Sequence, residues 1–368
     1  MNIGCENKMA IEDILTIPPY SLGRCAKPGL LDEILRDLTE HHYRNCAPYK
    51  RILDSLAFDV GRVGSYFDIP FLPVRLFKEH ELLSVDKANV FKTMTSSGTT
   101  GQAVSRIFLD KETATNQQKA LVKIVSSVIG PKRLPMLILD SPAVLKDRNM
   151  FSARGAGILG FSMFSSDKVY AFDGNMQFDR EGVSAFLDKH KGRDLLVFGF
   201  TFIIWQHFCR ELLHSGYRPD LSRGTLFHGG GWKKMLLEAV SPEEYKKCLS
   251  TVCGISRIHD YYGMVEQTGC IYLECEQGHL HASIFSDVIM RRSLDFSVCE
   301  IGEKGVIEVV SVLPKSYPGH ILLTEDEGVV LGEDDCPCGR FGKYFKVTGR
   351  LQDAEIRGCS DTYAAKSR

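Results

Sequence analysis

The sequence predicts an α/β fold with a mixed sheet, followed by a smaller β-rich part. Two apolar runs, Leu134–Leu139 and Leu195–Phe200, read as buried strands, and segments of helical periodicity alternate with strands up to residue 262. From Gly305 onward, β-branched residues such as those at 306–310 alternate with turn residues and indicate antiparallel strands. Strands that alternate with helices are typical of α/β domains, so we expect such a core with a β-rich extension.

The individual elements follow from local patterns. Apolar residues three and four positions apart predict helices at 29–46, 110–128, 180–190 and 201–215. Pro70 and Pro73 predict an extended connection rather than a helix. Ser241, followed by a proline and by Glu244, predicts the start of a further helix, and Gly254 predicts its end.

Composition excludes several classes of protein. The chain has 368 residues, of which 44% are hydrophobic and 25% charged, values that are ordinary for a globular protein of one large or two to three typical domains. The net charge of −1 argues against nucleic-acid binding through bulk charge. The longest apolar run, residues 195–205, is shorter than the roughly 20 residues of a membrane span.

Cysteine usage bears on the compartment. The first residues of the sequence mix acidic and basic side chains and contain no apolar segment. We therefore expect no secretory signal. The 12 cysteines are then expected to be reduced thiols, metal ligands or a reactive cysteine in the cytoplasm.

A loop of four hydroxyl residues and two glycines is the feature most suggestive of chemistry. It comprises Ser96, Ser97, Gly98, Thr99, Thr100 and Gly101. Glycines allow close backbone approach, and successive N–H groups with added hydroxyl donors form a nest for phosphate. The loop follows a predicted strand end, but no Gly-Lys-Ser/Thr closes it, so it is not a Walker A loop. The alternative is an ordinary solvated turn.

Glycines and aromatic residues mark two further stretches. After a predicted strand at 225–227, Gly229 and Gly230 could let a flat ligand lie against bare backbone, or they form a tight turn. Downstream, Tyr262 and Gly263 precede Glu266. An aromatic ring can stack on a base and a carboxylate can hold Mg²⁺, although a strand end with a surface acid fits the same residues.

Two charged stretches complete the series. Thr324 and Asp326 follow an apolar pair, and the carboxylate could accept both ribose hydroxyls, or the stretch is a charged hairpin turn. Gly349 and Arg350 precede Asp353, and the guanidinium could reach phosphate or ribose oxygens, or it forms a surface ion pair.

The order of these motifs resembles the core motifs of AMP-forming adenylate synthetases, which activate carboxylic acids with ATP. More closely, the segment at 70–74, the loop FKTMTSSGTTGQ and the ending GRLQDAEIRGCSDTY resemble the acyl-protein synthetases of bacterial bioluminescence. That family supplies the fatty-acid ligase of a fatty acid reductase complex and is related to phenylacetate–CoA ligases.

The resemblance implies an adenylate-forming core that uses ATP and Mg²⁺ to convert a long-chain fatty acid into acyl-AMP. It also implies acyl transfer to a protein cysteine, with Cys359 as the match by position, and then to a reductase subunit. Glu266 and Arg350 would be catalytic, and a homo-oligomer is compatible with the pattern. The rival interpretations are an acyl- or aryl-CoA ligase and a non-catalytic acyl- or nucleotide-binding subunit.

Two departures from the superfamily pattern bear on the mechanism. A lysine commonly follows the last glycine of the loop, whereas this chain continues with Gln102. Adenylating enzymes usually continue past the Gly-Arg-x-x-Asp hinge into a small domain with a catalytic lysine, and we expect that C-terminal domain to be truncated here. The expected division is a core at 1–348 and a short hinge and tail at 349–368 that carries Cys359.

Cysteine and histidine residues form a candidate zinc site. Cys275 and His281, with His279 between them, and Cys336 with Cys338 could close a tetrahedral structural zinc site. Reduced cysteines in a β-rich region are the alternative. Cys359 is separate: Arg357 nearby would favour its thiolate, although from chemistry alone an ordinary exposed cysteine is the better interpretation.

Overall fold

One large mixed sheet is the central feature of the computed structural model, which describes residues 11–96, 104–146, 153–232 and 239–351. Within these ranges, none of the helices has the length and apolar character that a bilayer crossing needs. The strands are β1 (Leu72–Pro73), β2 (Lys92–Thr95), β3 (Arg106–Leu109), β4 (Leu134–Leu139), β5 (Ser165–Tyr170), β6 (Leu195–Phe200), β7 (Gly224–Gly229), β8 (Arg257–Tyr262), β9 (Tyr272–Glu274), β10 (Leu280–His281), β11 (Ser286–Arg291), β12 (Lys304–Ser311), β13 (Ile321–Glu333) and β14 (Lys343–Arg350).

Helices connect and flank these strands. They are α1 (Ile11–Ile14), α2 (Lys27–Asn45), α3 (Ala47–Ser55), α4 (Leu76–Glu79), α5 (Lys111–Ile129), α6 (Ala143–Lys146), α7 (Ala153–Ser162), α8 (Arg180–Lys189), α9 (Thr201–Ile203), α10 (Arg210–Ser215) and α11 (Pro242–Cys253). Three of the four periodic helices, at 29–46, 110–128 and 180–190, and the capped helix at Ser241 are confirmed within a few residues.

Helix ends follow the local chemistry of the sequence. The Ser241 side chain accepts from the backbone N–H of Glu244 at 3.1 Å, and Gly254 ends α11 with a φ of +75°. The helix predicted at 201–215 is interrupted by a π-helical turn, Ile204–Cys209, between α9 and α10. Gly216 ends it at a φ of +69°.

The first half of the sheet is parallel. Strands β5, β4, β6, β7 and β8 lie side by side in that order, each parallel to its neighbour. All residues of β6 and β7 are buried, because helices connect these parallel strands and cover the faces of the sheet. Parallel strands end at one edge, so the residues that follow β6, β7 and β8 lie close together there.

The second half of the sheet is antiparallel and joins the first at β8. Strand β8 pairs parallel with β7 and antiparallel with β9, and the order continues β9, β10, β14, β13, β12, β11. Strand β1 adds to β13 in parallel register. The predicted β-rich part therefore continues the α/β sheet, and the change of strand direction at β8 is where the candidate site lies.

A separate two-stranded hairpin carries the Ser/Thr/Gly loop. Strands β2 and β3 pair antiparallel from Lys92 with Leu109 to Thr95 with Arg106. The hairpin confirms the strand predicted before the loop.

Two buried clusters of apolar side chains hold the architecture together, a large one around the parallel strands and a second that includes Phe77, Tyr317 and Ile107 beside the hairpin.

Candidate active site

The neck of the Ser/Thr/Gly loop is closed by two hydrogen bonds between its ends. The backbone N–H of Ser96 donates to the carbonyl of Ser105 at 3.2 Å, and the N–H of Ser105 donates to the hydroxyl of Ser96 at 2.9 Å. The remaining candidate phosphate-binding positions, Ser97 to Gly101, lie outside the described residues.

Glu266 lies directly beside this neck, in the turn that follows β8. Only 6% of the residue is exposed, and its backbone carbonyl accepts from the hydroxyl of Tyr317 at 2.9 Å. Burial raises the pKa of its carboxyl group, whereas the Ser105 hydroxyl and the more distant ammonium of Lys78 act in the opposite direction. The carboxyl group of Glu266 therefore lies near Ser105, at the C-terminal end of the loop.

No cation lies within ion-pair distance of the Glu266 carboxylate in the described part of the chain, although a buried carboxylate without a paired charge is costly. Carboxylate oxygen is a preferred ligand of Mg²⁺, which usually binds one or two protein carboxylates together with substrate phosphates. The donor chemistry and the burial of Glu266 thus fit a magnesium ion that arrives with a nucleotide.

A second cluster joins three of the predicted site residues. The hydroxyl of Tyr262, at the end of β8, donates to Oδ2 of Asp326 at 2.8 Å. The other oxygen of Asp326 lies 3.1 Å from Nε of Arg350, and Nη2 of Arg350 lies 3.1 Å from Glu325. Arg75, from the segment after β1, approaches the same Glu325 at 3.4 Å. The structure therefore brings together residues that are 88 positions apart in the sequence, from 262 to 350.

The glycines after β7 have different surroundings. A Cβ atom on Gly229 would lie 2.6 Å from Cζ of Tyr261, so the ring of Tyr261 lies against its bare backbone. Gly230 adopts a φ of +77°, which favours glycine. Gly263 lies against Ile271, whose Cγ2 would be 3.3 Å from an added Cβ. At Gly229, the missing side chain therefore lets the Tyr261 ring pack against the backbone of the same chain.

His228 is a candidate that the sequence reasoning missed. Its Nδ1 lies 2.9 Å from the hydroxyl of Thr201 and 3.6 Å from Asp260, while its Nε2 is buried without a hydrogen-bond partner among the described residues. Burial is the largest cause that lowers its pKa to about 3, so the imidazole is neutral at pH 7. The ring packs 4.9 Å from that of Tyr245. The available signal was a polar residue directly before three glycines at a strand end.

The four predicted metal ligands converge. One ligand atom from each of Cys275, His281, Cys336 and Cys338 lies within 4.8 Å of the others. The Cys275 and Cys336 sulfurs are 3.9 Å apart, and the Cys338 sulfur is 3.4 Å from Nε2 of His281. His279 lies beside the group, 3.4 Å from the Cys336 sulfur.

These separations fit tetrahedral zinc. Zn–S bonds of about 2.3 Å and Zn–N bonds of about 2.0 Å at tetrahedral angles place sulfurs about 3.8 Å apart and sulfur about 3.5 Å from nitrogen. The observed spacings of 3.9 and 3.4 Å match both values. The hairpins β9–β10 and β13–β14 supply the ligands, and β10 pairs with β14 between them. Asp353 and Cys359 lie outside the described residues.

Solved structures with the same architecture are ligases. A 2-hydroxyisobutyryl-CoA ligase in an open conformation, in complex with 2-HIB-AMP and CoA, superimposes with a TM-score of 0.67 at 13% identity, covering 90% of this chain and 71% of the ligase. The same ligase in its thioesterification state gives a TM-score of 0.67 at 14% identity, covering 91% and 70%. The chain therefore has the fold of these ligases.

Sequence comparison places the chain more closely. The chain belongs to the acyl-protein synthetase (LuxE) family, whose sequence model matches residues 2–367. A curated relative, the long-chain-fatty-acid–luciferin-component ligase of Vibrio harveyi, is 22% identical over 352 residues, which cover 92% of this chain and 89% of that protein. Family membership bears out the resemblance noted from the motifs.

Proposed function

We propose that the protein activates a long-chain fatty acid with ATP and transfers the acyl group to a protein cysteine. The observations that carry this proposal are Glu266 beside the neck of the Ser/Thr/Gly loop and the cluster of Tyr262, Asp326 and Arg350 at the end of β8, the strand that leads into the turn with Glu266. The substrate follows the name of the Vibrio harveyi relative, and the protein acceptor follows the family name.

In the first half-reaction, a carboxylate oxygen of the fatty acid attacks the α-phosphorus of ATP. The bond to the bridging oxygen breaks, its electron pair leaves with pyrophosphate, and acyl-AMP remains. The loop residues Ser96 to Gly101 hold the phosphates, Asp326 accepts the ribose hydroxyls, and Arg350 contacts the nucleotide from the end of β14. Glu266 holds Mg²⁺, which when bound neutralises phosphate charge.

The side chains around β8 position the nucleotide. The 2.8 Å hydrogen bond from Tyr262 holds one carboxylate oxygen of Asp326. The other oxygen contacts Arg350, and both side chains are half-buried there. Buried His228 offers Nε2 to an oxygen of the fatty-acid carboxylate, because that nitrogen is otherwise unsatisfied among the described residues. Preorganised polar groups of this kind cost no reorganisation during the reaction.

In the second half-reaction, the Cys359 thiolate attacks the acyl carbon of acyl-AMP. A thioester forms, and AMP leaves with the electron pair of the broken carbon–oxygen bond. The tail at 349–368 carries this thioester from the core at 1–348 to a cysteine of the acyl-accepting reductase subunit. Strand β14 ends at Arg350 and so includes the first two residues of this tail, which leaves the core from the strand that carries Arg350.

Pyrophosphate exchange and covalent labelling test the proposal together. Purified protein should exchange labelled pyrophosphate into ATP with long-chain fatty acids, and labelled acid plus ATP should label the chain through a hydroxylamine-sensitive bond. Cys359→Ser should lose the label and keep the exchange, whereas the exposed Cys25→Ser control should keep both. Persistent label in Cys359→Ser would reassign the acceptor.

The rival functions give different results in the same assays. Rapid release of free acyl-CoA when CoA is added, with no label on the chain, would favour a CoA ligase. Failure to exchange pyrophosphate with any acid in a panel of chain lengths would favour a non-catalytic binding subunit.

We further propose that a structural zinc ion is held by Cys275, His281, Cys336 and Cys338. The support is the match between the observed S···S and S···N spacings and tetrahedral zinc. The ion would cross-link two hairpins of the antiparallel half of the sheet. Its role would be structural rather than catalytic, because four protein ligands leave no open coordination position.

A further inference from the structure

Large exposed apolar side chains are concentrated in the loop between β11 and β12. Leu294, Phe296, Val298 and Ile301 are all exposed, with 94% of Leu294 and 61% of Ile301 open to solvent. We call these four residues the apolar tip. No other stretch of eight described residues holds more than two exposed large apolar side chains. A local patch of this kind, surrounded by polar residues, is typical of an interaction site.

Hydrogen bonds hold the backbone of the apolar tip in one conformation. The N–H of Arg292 donates to the carbonyl of Ser297 at 2.9 Å, and its guanidinium donates to the carbonyl of Val298 at 2.9 Å and to Glu303 at 2.7 Å. Phe296 adopts a φ of +57°, which is unfavourable for a bulky side chain and occurs preferentially at functional sites. A surface fixed in advance loses little conformational freedom when a partner binds.

The charges around the apolar tip favour a protein partner over a lipid surface. Residues 291–304 contain three basic and three acidic side chains and so carry no net charge. Anionic lipids attract segments with an excess of lysine and arginine, which this loop does not have. An apolar centre with a polar rim of both charges is instead the usual composition of a protein–protein interface.

The pairing of the strands places the loop close to β14. Gly305, two residues after the loop ends at Glu303, pairs with Gly328 of β13, and Gly328 pairs with Val347 of β14. Two strand spacings correspond to about 10 Å. The loop is also fixed to β13 directly, because the N–H of Gly302 donates to a carbonyl of that strand, at Val330, at 2.9 Å.

The length of chain beyond β14 sets how far Cys359 can reach. Strand β14 ends at Arg350, and Cys359 lies nine positions further along the sequence. Nine residues of chain span at most about 30 Å. A protein bound at the apolar tip is therefore within reach of the Cys359 thioester.

We infer that the apolar tip is the docking surface for the acyl-accepting reductase subunit, which binds it through an apolar patch beside its own acceptor cysteine. The inference rests on the proposed function. In the transfer step, the thiolate of the partner attacks the acyl carbon of the Cys359 thioester. The new carbon–sulfur bond forms as the old one breaks, and Cys359 leaves as a thiolate, so charge and atoms balance.

The test follows labelled acyl groups from this chain to the purified reductase subunit of the host. Leu294→Asp should lower transfer at limiting reductase at least about 10-fold, and Leu294→Asp combined with Ile301→Asp should lower it further. The KM for the reductase should rise while the rate at saturating reductase stays near that of the parent. Leu294→Met should behave like the parent, as should Leu213→Asp, which alters a leucine that is 52% exposed on α10.

Measurements on this chain alone separate docking from catalysis. Pyrophosphate exchange and labelling of the chain itself should be parental in every variant, because none of these residues belongs to the candidate active site. Parental transfer by the double variant would overturn the inference. So would parental transfer in a variant that has lost self-association, or binding to phosphatidylcholine vesicles, since the apolar tip would then contact a second copy or a lipid surface.

The parent protein distinguishes failure of the inference from failure of the proposed function. A parent that acquires the label but does not pass it to the reductase overturns the docking inference alone. A parent that neither exchanges pyrophosphate nor acquires the label overturns the proposed function, and this inference with it.

Discussion

Replacement of Glu266 by glutamine should make the protein more stable and much less active. The side chain is 6% exposed, burial raises its carboxyl pKa, and no described cation pairs with it. An amide of the same shape removes a buried charge, which should stabilise the ligand-free protein by about 1–3 kcal/mol at pH 8. For a chain of 368 residues such a gain corresponds to a rise in Tm of about 1–4 °C.

The gain should depend on pH with a definite sign. The folded-state pKa of Glu266 lies above the unfolded value of about 4.3, so above the folded-state pKa only the folded protein bears the cost of the buried charge. Below the unfolded value both states are neutral and the cost vanishes. The difference in Tm between Glu266→Gln and the parent should therefore shrink as the pH falls from 8 towards 4.

The same substitution should lower pyrophosphate exchange by two orders of magnitude or more, equivalent to about 2.7 kcal/mol of barrier, because the ligand that places Mg²⁺ is weakened. Glu308→Gln is the matched control. Glu308 is also buried but pairs with Arg291 at 2.7 and 3.1 Å, so its replacement should destabilise the fold by about 3–5 kcal/mol. A Glu266→Gln protein with parental exchange, or one less stable than the parent at pH 8, would refute the reasoning.

Three more outcomes are expected. Elemental analysis should find about one zinc per chain, lost in Cys336→Ser and kept in Cys270→Ser, since Cys270 instead contacts Ser311; a metal-free parent of full stability would remove the zinc site. Gly229→Ala should lower stability to urea by about 1–3 kcal/mol, because its Cβ would meet the Tyr261 ring at 2.6 Å, and an unchanged midpoint would contradict that contact. Burial lowers the pKa of His320 to about 3, so stability should be complete above about pH 6.5 and decline as the pH falls towards 3, less steeply in His320→Gln; identical slopes would contradict this.

Sequence patterns predicted the elements whose signal is local. The runs that became β4 and β6 are buried along nearly their whole length, and the cap at Ser241 lies beside the residues it binds. The strands between 257 and 291 were not predicted individually. In β8, Arg257 and Asp260 interrupt the apolar pattern, because pairing with neighbours on both sides, rather than its own composition, holds that strand in place.

The candidate site was predicted in part for a similar reason. Tyr262, Asp326 and Arg350 were found through the order of their motifs, and their hydrogen bond and ion pair became visible only in three dimensions. His228 belongs to none of the motifs that carried the resemblance. Its importance comes from an unsatisfied buried nitrogen, a feature created by contacts between distant segments.

The position of β14 has a consequence for how the protein is made. This strand is the last described in the sequence, yet it lies inside the sheet between β10 and β13. On the ribosome, both neighbours emerge before their shared partner and expose unpaired edges until residues 343–350 arrive, a state prone to self-association. Because Arg350 lies on that strand, sheet closure and completion of the cluster with Asp326 occur in one late step, and a nascent chain stopped before 343 has neither.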